Sequence, residues 1–430
     1  MEFAAFILAH DGEDLSRLAL SRDRYSGQVE DFDLALNSLE ARRKLRTKVP
    51  EWVALPQLRY PSKLSAEQCS SSETARYKAS VAWQSVRPSA KSAQNALGEG
   101  VEGVPKCKKG SKCTWRLADL TGGLGVDSWA FAQVFGEVLY NEMRPELSHA
   151  AQYNFGQLGV KNITVRSLEL KPGGLADILD GFEPDILFLD PARRASDGRK
   201  VFRLEDCQPN VLQLLPELFE TCPRLLIKLS PMADISLVCK QLQHVKAVHV
   251  VAAEGECKEL LLLLERDYEG PYATTIYESG ATLSLDQVQG TFGPGPISGG
   301  GLSPQGKVGQ FLFEPGKALL KAGAFDLPCQ LGLEKLDRHT HLFTGEAVPE
   351  ELQPFGKVFE IVEVAPLNNR SIKEIGKRFP SAEVTARNIP ITSEELRKRL
   401  GVRSGGPFHI FGVQAGKERL LLVTRRLTDC

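Results

Sequence analysis

The sequence has little that would remove it from solution or hold it together covalently. In 430 residues no apolar run approaches the length of a membrane-spanning helix, and the N-terminus shows no secretory leader pattern. No membrane association is therefore expected. Nine cysteines are scattered along the chain. Cys107 and Cys113 flank a lysine-rich loop, but no second pair or histidine cluster completes a zinc site, so no metal is expected. Such a set suits the reducing cytoplasm, where the protein is expected to reside. The net charge of −1 excludes a global attraction to nucleic acid, and any such binding must come from a local patch. Hydrophobic content of 42% and charged content of 25% are those of a soluble globular protein, long enough here for two to four domains.

Against that plain background one stretch organises the chain. Trp115–Asp119 predicts a short buried strand, residues 120–125 a glycine-rich turn, and a helix starts near Val126. A second strand closes on Glu142. This is the opening unit of a doubly wound α/β sheet, in which ligands sit beyond the carboxyl ends of the strands. Gly122, Gly123 and Gly125 let the backbone approach a ligand, and Glu142 is placed to bind both hydroxyls of a ribose. Gly123-x-Gly125-x-x-Ser128 also fits a degenerate dinucleotide fingerprint, but the carboxylate of Asp119 would repel a pyrophosphate on that turn. A ligand with an ammonium group and no phosphate suits it better. The spacing Asp119-x-x-x-Gly123-x-Gly125, with Thr121 inside it, resembles motif I of the class I methyltransferases, whose ligand is S-adenosylmethionine.

Residues 1–97 read as an N-terminal helical region, ending in a helix opened by a capping box at Ser70-x-x-Glu73. Residues 98–114 are a Gly/Lys-rich loop. The catalytic domain is expected over 114–268. Its third strand ends at Arg166, with Glu169 just beyond, within reach of an adenine amino group. The fourth strand runs into Asp190-Pro-Ala-Arg193-Arg194, which puts a carboxylate at the mouth of the sheet beside the first turn. It resembles motif IV of nucleic-acid and protein N-methyltransferases, with Ala192 in place of the second proline and no aromatic ring after it. Arg193, Arg194, Arg199, Lys200 and Arg203 form a basic loop suited to phosphates. The fifth strand ends at Lys228-Leu-Ser230-Pro231, and a hairpin over 245–265 completes seven strands. With serine where RNA uracil methyltransferases place a nucleophilic cysteine, no covalent adduct with the base is expected.

Residues 270–350 read as a linker, richest in Gly and Pro over 290–304, followed by a small strand-and-helix segment. Residues 355–430 predict strand, helix, strand, capped helix and a closing hairpin, a compact α+β unit. From Ser371 onward twelve Lys/Arg stand against six Asp/Glu, with clusters at Arg397-Lys398-Arg399 and Arg425-Arg426. As a whole the chain resembles a bacterial family of class I methyltransferases with ferredoxin-like and THUMP-like domains after the catalytic one. That resemblance implies a Rossmann-like seven-stranded sheet, S-adenosylmethionine as cofactor and a structured RNA (tRNA or rRNA) as substrate.

Two acceptors fit the motifs. An exocyclic base amine is the more usual partner of an Asp-Pro motif IV. The alternative is a ribose 2′-hydroxyl, because Lys78, Asp190, Lys228 and Glu259 occupy in order the places of the Lys-Asp-Lys-Glu tetrad of ribose methyltransferases. In that reading a desolvated Lys228 flanked by another cation has a lowered pKa and acts as base. A methyltransferase of proteins or small molecules, and a non-catalytic RNA-binding protein, remain competing readings.

Overall fold

The computed structural model describes residues 2–25, 27–87, 114–193, 203–285 and 308–427, with the Arg193 side chain set aside. Arg194, Arg199, Lys200, the loop at 98–113 and the Gly/Pro-rich linker at 290–304 lie outside the described residues. The chain divides into two compact units, Met1–His249 with Glu259–Tyr272, and Val250–Lys258 with Ala273–Cys430.

The first unit opens with helices, of which Phe32–Lys48 and Ser72–Val86 are the longest. Phe6, Ile7, Leu18, Phe32 and Leu39 pack into one apolar cluster among them, as the helical spacing of those residues demands. The helix Ser72–Val86 is capped one residue later than expected. Ser71 accepts the Thr74 N–H at 3.2 Å, and Ser70 is drawn away into a charge cluster described below. The sheet strands are β1 (Arg116–Asp119), β2 (Glu137–Asn141), β3 (Ile163–Arg166), β4 (Ile186–Leu189), β5 (Arg224–Leu229), β6 (Val245–Ala253) and β7 (Glu256–Glu265). Their order is β6-β7-β5-β4-β1-β2-β3, with β7 antiparallel to β5 and β1 to β5 parallel throughout. Strand order thus reverses at β1 and β4, and their carboxyl ends form the crevice where such sheets bind ligands. All four residues of β4 are buried, as expected for a central parallel strand covered on both faces.

The second unit contains a hairpin that the composition of the linker concealed. Ala273–Glu278 and Ala281–Ser284 pair antiparallel around Ser279-Gly280, both with positive φ. The alternation of Thr274, Ile276 and Glu278 was its only sequence signal. Beyond it a continuous seven-stranded sheet runs from Glu334–Lys335 at one edge to Ser381–Arg387 at the other. The helices Asn369–Arg378 and Ser393–Leu400 are capped by Asn368 and Thr392. They bury Ile372, Ile375, Leu396 and Leu400 against Ile410, Leu421 and Val423 of the sheet. Gly376 permits their close approach, since a Cβ there would stand 1.8 Å from the Leu400 carbonyl oxygen.

Candidate active site

The turn after β1 is tied down from three sides. Tyr140 donates its hydroxyl to the Gly123 carbonyl at 2.6 Å, and a Cβ on Gly122 would lie 2.2 Å from the same ring. Gly125 has φ +92°, which a side chain rarely tolerates. Thr121 Oγ1 accepts the Asp190 N–H at 2.6 Å, joining the turn to the end of β4. Asn141 donates to the carbonyls of Leu120 and Leu168 and fixes the ends of β1, β2 and β3 together.

Over this turn lies a cavity of about 490 Å³, within the range of small-molecule sites. Its lining includes Ser70, Thr121, Gly123, Gly125, Asp127, Glu142, Met143, Arg144, Leu168, Glu169 and Asp190. Glu142 Oε2 accepts the Gly123 N–H at 3.0 Å, and its Oε1 accepts the backbone and Nε protons of Arg144 at 3.0 and 2.9 Å. Met143 and Leu168, 46% and 41% exposed, line the cavity and present apolar surface that a planar ligand would cover. Glu169 is exposed at the rim.

Asp119 stands elsewhere than the sequence suggested. It is wholly buried behind the turn and absent from the lining, with Oδ2 accepting the Ser128 hydroxyl at 2.5 Å and Oδ1 the Thr121 N–H at 3.2 Å. Burial, reinforced by Asp127 and Asp190 against the Ser128 hydrogen bond, pushes its pKa up to about 8.

The structure brings Lys78, Asp190, Lys228 and Glu259 together. Lys228 Nζ lies 2.5 Å from Asp190 Oδ2 and 3.8 Å from Glu259 Oε2. Lys78 Nζ, fully buried, lies 2.6 Å from Glu259 Oε1 and 2.8 Å from Ser70 Oγ. Sequence reasoning missed the fifth member. Asp127, in the first turn of the helix Val126–Phe131, lies 3.2 Å from Lys78 and accepts the Ser70 hydroxyl at 2.9 Å. A carboxylate directly after the glycine turn was the available signal. The expected charge state of Lys228 is reversed. Its neighbours are carboxylates, so although burial acts to lower its pKa, Asp190, Glu259 and Asp127 together raise it. For Glu259, burial holds the pKa above the usual carboxylate range while Lys78 and Lys228 pull it back.

Two C-terminal segments match family models, a ferredoxin-like domain over 311–352 and a domain described as THUMP domain-like over 356–426. Similar along nearly its whole length is a crystal structure from Porphyromonas gingivalis W83 described as a "putative methyltransferase". It shares 27% identity and a TM-score of 0.75, over 99% of this chain and 98% of that one. The chain is an S-adenosylmethionine-dependent methyltransferase. Uncharacterised S-adenosylmethionine-dependent methyltransferases of two Mycobacterium tuberculosis strains, CDC 1551/Oshkosh and H37Rv, are each 24% identical over 310 residues, 71% of this chain and 79% of theirs.

In this methyltransferase the expected nucleic-acid contacts are distributed over separate elements. Lys398 and Arg399 pair with Glu394 and Glu395 one turn earlier, at 2.9 and 2.6 Å, and Arg425 lies 3.7 Å from Glu360. Arg397 lies on the same helix and Arg426 ends the last strand. Lys398, Arg399 and Arg425 therefore each stand beside a carboxylate. Among the described residues no group of His, Cys, Asp and Glu could hold a metal, and no helix is long and apolar enough to cross a membrane.

Proposed function

We propose that the enzyme methylates structured RNA at an oxygen, the ribose 2′-hydroxyl, using Asp190, which lines the cavity, and Lys228, which pairs with it, with Glu259 and Lys78 behind them. The observation that carries this reading is the contiguous cluster Lys78–Glu259–Lys228–Asp190. Its innermost lysine is fully buried and its outermost carboxylate is one-third exposed at the cavity. The THUMP-like domain supports RNA as the substrate class.

The residues present fit the cofactor. Glu142 would accept the adenosine ribose hydroxyls, Met143 and Leu168 would flank the adenine, and Glu169 at the rim would accept from its amino group. When bound, the cofactor supplies an electrophilic methyl group on a sulfonium. The chain supplies the rest. Asp190 takes the acceptor hydroxyl as a hydrogen-bond donor and receives its proton as the new carbon–oxygen bond forms. Lys228, held protonated by its carboxylate neighbours, stabilises charge developing on that oxygen. Glu259 keeps Lys228 in place, and Lys78 keeps Glu259.

An exocyclic amine is the second reading, favoured by the Asp190-Pro191 sequence at the strand end. The charge of Lys228 opposes it. An attacking amine keeps its protons through the transfer and becomes cationic beside a fixed ammonium, whereas a hydroxyl that gives its proton to Asp190 as it attacks does not. The test is transfer of a labelled methyl group from S-adenosylmethionine to total RNA from cells lacking the enzyme. The expected result is labelled RNA, abolished by Asp190→Ala. Binding of the cofactor without transfer to any RNA fraction, together with transfer to a protein or small-molecule fraction, contradicts the proposal.

A further inference from the structure

The charges buried around Lys78 alternate in sign. From the acceptor end they run Asp190, Lys228, Glu259, Lys78 and Asp127, with steps of 2.5, 3.8, 2.6 and 3.2 Å. Three carboxylates and two ammonium groups leave the row one positive charge short when all are ionised. Both ends line the cavity. At the far end, Asp127 Oδ2 accepts the Ser70 hydroxyl. Its Oδ1 is buried and stands 3.2 Å from Lys78 Nζ, yet it accepts no hydrogen bond among the described residues. Lys78 is shared between Glu259 at 2.6 Å and Asp127 at 3.2 Å, so the Asp127 charge is only partly met. Asp119, the motif I carboxylate, cannot supply a docking point, because it is wholly buried and lies behind the cavity wall.

Resting on the reading of this cavity as the cofactor site, we infer that the α-ammonium group of S-adenosylmethionine docks on Asp127 and completes the row. Asp127 is then a binding residue, and Lys78 a positioning residue that acts through it and through Glu259. The arrangement also links the two halves of the reaction. The cofactor's ammonium ends a line of alternating charges whose other end is the acceptor pair. Asp119 has a different part. Its bonds to Ser128 and Thr121 hold the turn in shape, with no charge presented to the ligand.

The test measures binding and needs no turnover. Calorimetry would compare three ligands on the full chain: S-adenosylhomocysteine, its analogue with hydrogen in place of the α-ammonium, and 5′-methylthioadenosine. Wild type is expected to prefer the first over the second. Asp127→Asn is expected to weaken S-adenosylhomocysteine roughly 10–100-fold, as for loss of a charge-assisted hydrogen bond, and to leave the other two unchanged. Asp127→Glu should restore part of the preference, and Asp119→Asn should keep it. Equal weakening of all three ligands in Asp127→Asn would overturn the inference, as would a preference erased in Asp119→Asn. Should Asp127→Asn fail to fold, Asp127→Glu and Asp119→Asn still decide. Wild type that binds none of the three would instead remove the cofactor reading itself, a separate and recognisable outcome.

Discussion

Removing Lys78 should destabilise the catalytic unit far more than an ordinary lysine substitution. Its ammonium is fully buried between Glu259, 4% exposed, and Asp127, 12% exposed, with Ser70 as third partner. In Lys78→Met the side-chain volume is nearly kept. Glu259 then retains only Lys228 at 3.8 Å, and Asp127 retains only the Ser70 hydroxyl. Breaking a buried pair by removing one partner costs roughly 3–5 kcal/mol, because the orphaned charge stays buried. The double variant Lys78→Met, Glu259→Leu removes that orphan. It should recover at least half of the loss, giving a coupling of about 2 kcal/mol or more. Lys228 survives this change, since its tighter partner is Asp190 at 2.5 Å. The sequence supplies the assay: all four tryptophans, Trp52, Trp83, Trp115 and Trp129, fall in the first unit. Urea unfolding followed by tryptophan fluorescence therefore reports that unit alone. A loss below about 1 kcal/mol in Lys78→Met, or simple additivity in the double variant, would refute the reasoning that these charges act as one row.

Three further outcomes follow from the site. Lys228→Ala should reduce turnover roughly 10²–10⁴-fold with cofactor affinity retained, and near-normal single-turnover rates would remove Lys228 from the chemistry. The raised pKa of Asp119, about 8 against 3.8, gives a signed pH effect. Between those values the unfolded chain has released a proton that the folded chain keeps, so its contribution is full below the unfolded pKa and fades as pH rises through 8. The stability of Asp119→Asn measured by urea unfolding should accordingly rise relative to wild type from pH 5 to 8, and parallel pH profiles would contradict this. Neutralising Arg397, Lys398, Arg399, Arg425 and Arg426 should flatten the salt dependence of RNA binding by roughly 0.7–0.9 for each phosphate no longer held. An unchanged slope would remove those residues from RNA binding.

The features legible in the sequence were those written in local pattern. Buried strands ending in Asp119, Glu142 and Asp190 gave the sheet, and glycines 122, 123 and 125 gave the turn. Capping residues placed the C-terminal helix correctly at Thr392. What escaped was set by three-dimensional arrangement. Whether Asp119 or Asp127 faces the cavity depends on which way the turn directs each side chain, and eight residues of sequence cannot show it. The cap moved from Ser70 to Ser71 because a buried lysine eight residues on competes for the Ser70 hydroxyl. The ionisation of Lys228 was misread for the same reason. The tetrad already named Asp190 and Glu259, but the sequence could not show that Glu259 stands between Lys228 and Lys78, so that Lys228 meets carboxylates where a second lysine was expected. Counting charges in the last sixty positions likewise could not show which basic residues are already paired, as Lys398 and Arg399 are with glutamates one helical turn away.

The central claim is that the acceptor is an oxygen held by Asp190 and Lys228 in RNA. Nucleoside mass spectrometry of total RNA from a deletion strain beside its parent tests it most directly. The expected result is the loss of a single ribose-methylated nucleoside, at a position that resists alkaline cleavage in the parent and is cleaved in the deletion strain. A Lys228→Ala copy of the gene should fail to restore the modification. A missing base-methylated nucleoside would give the site to an exocyclic amine, and an unchanged nucleoside profile would take RNA away from it.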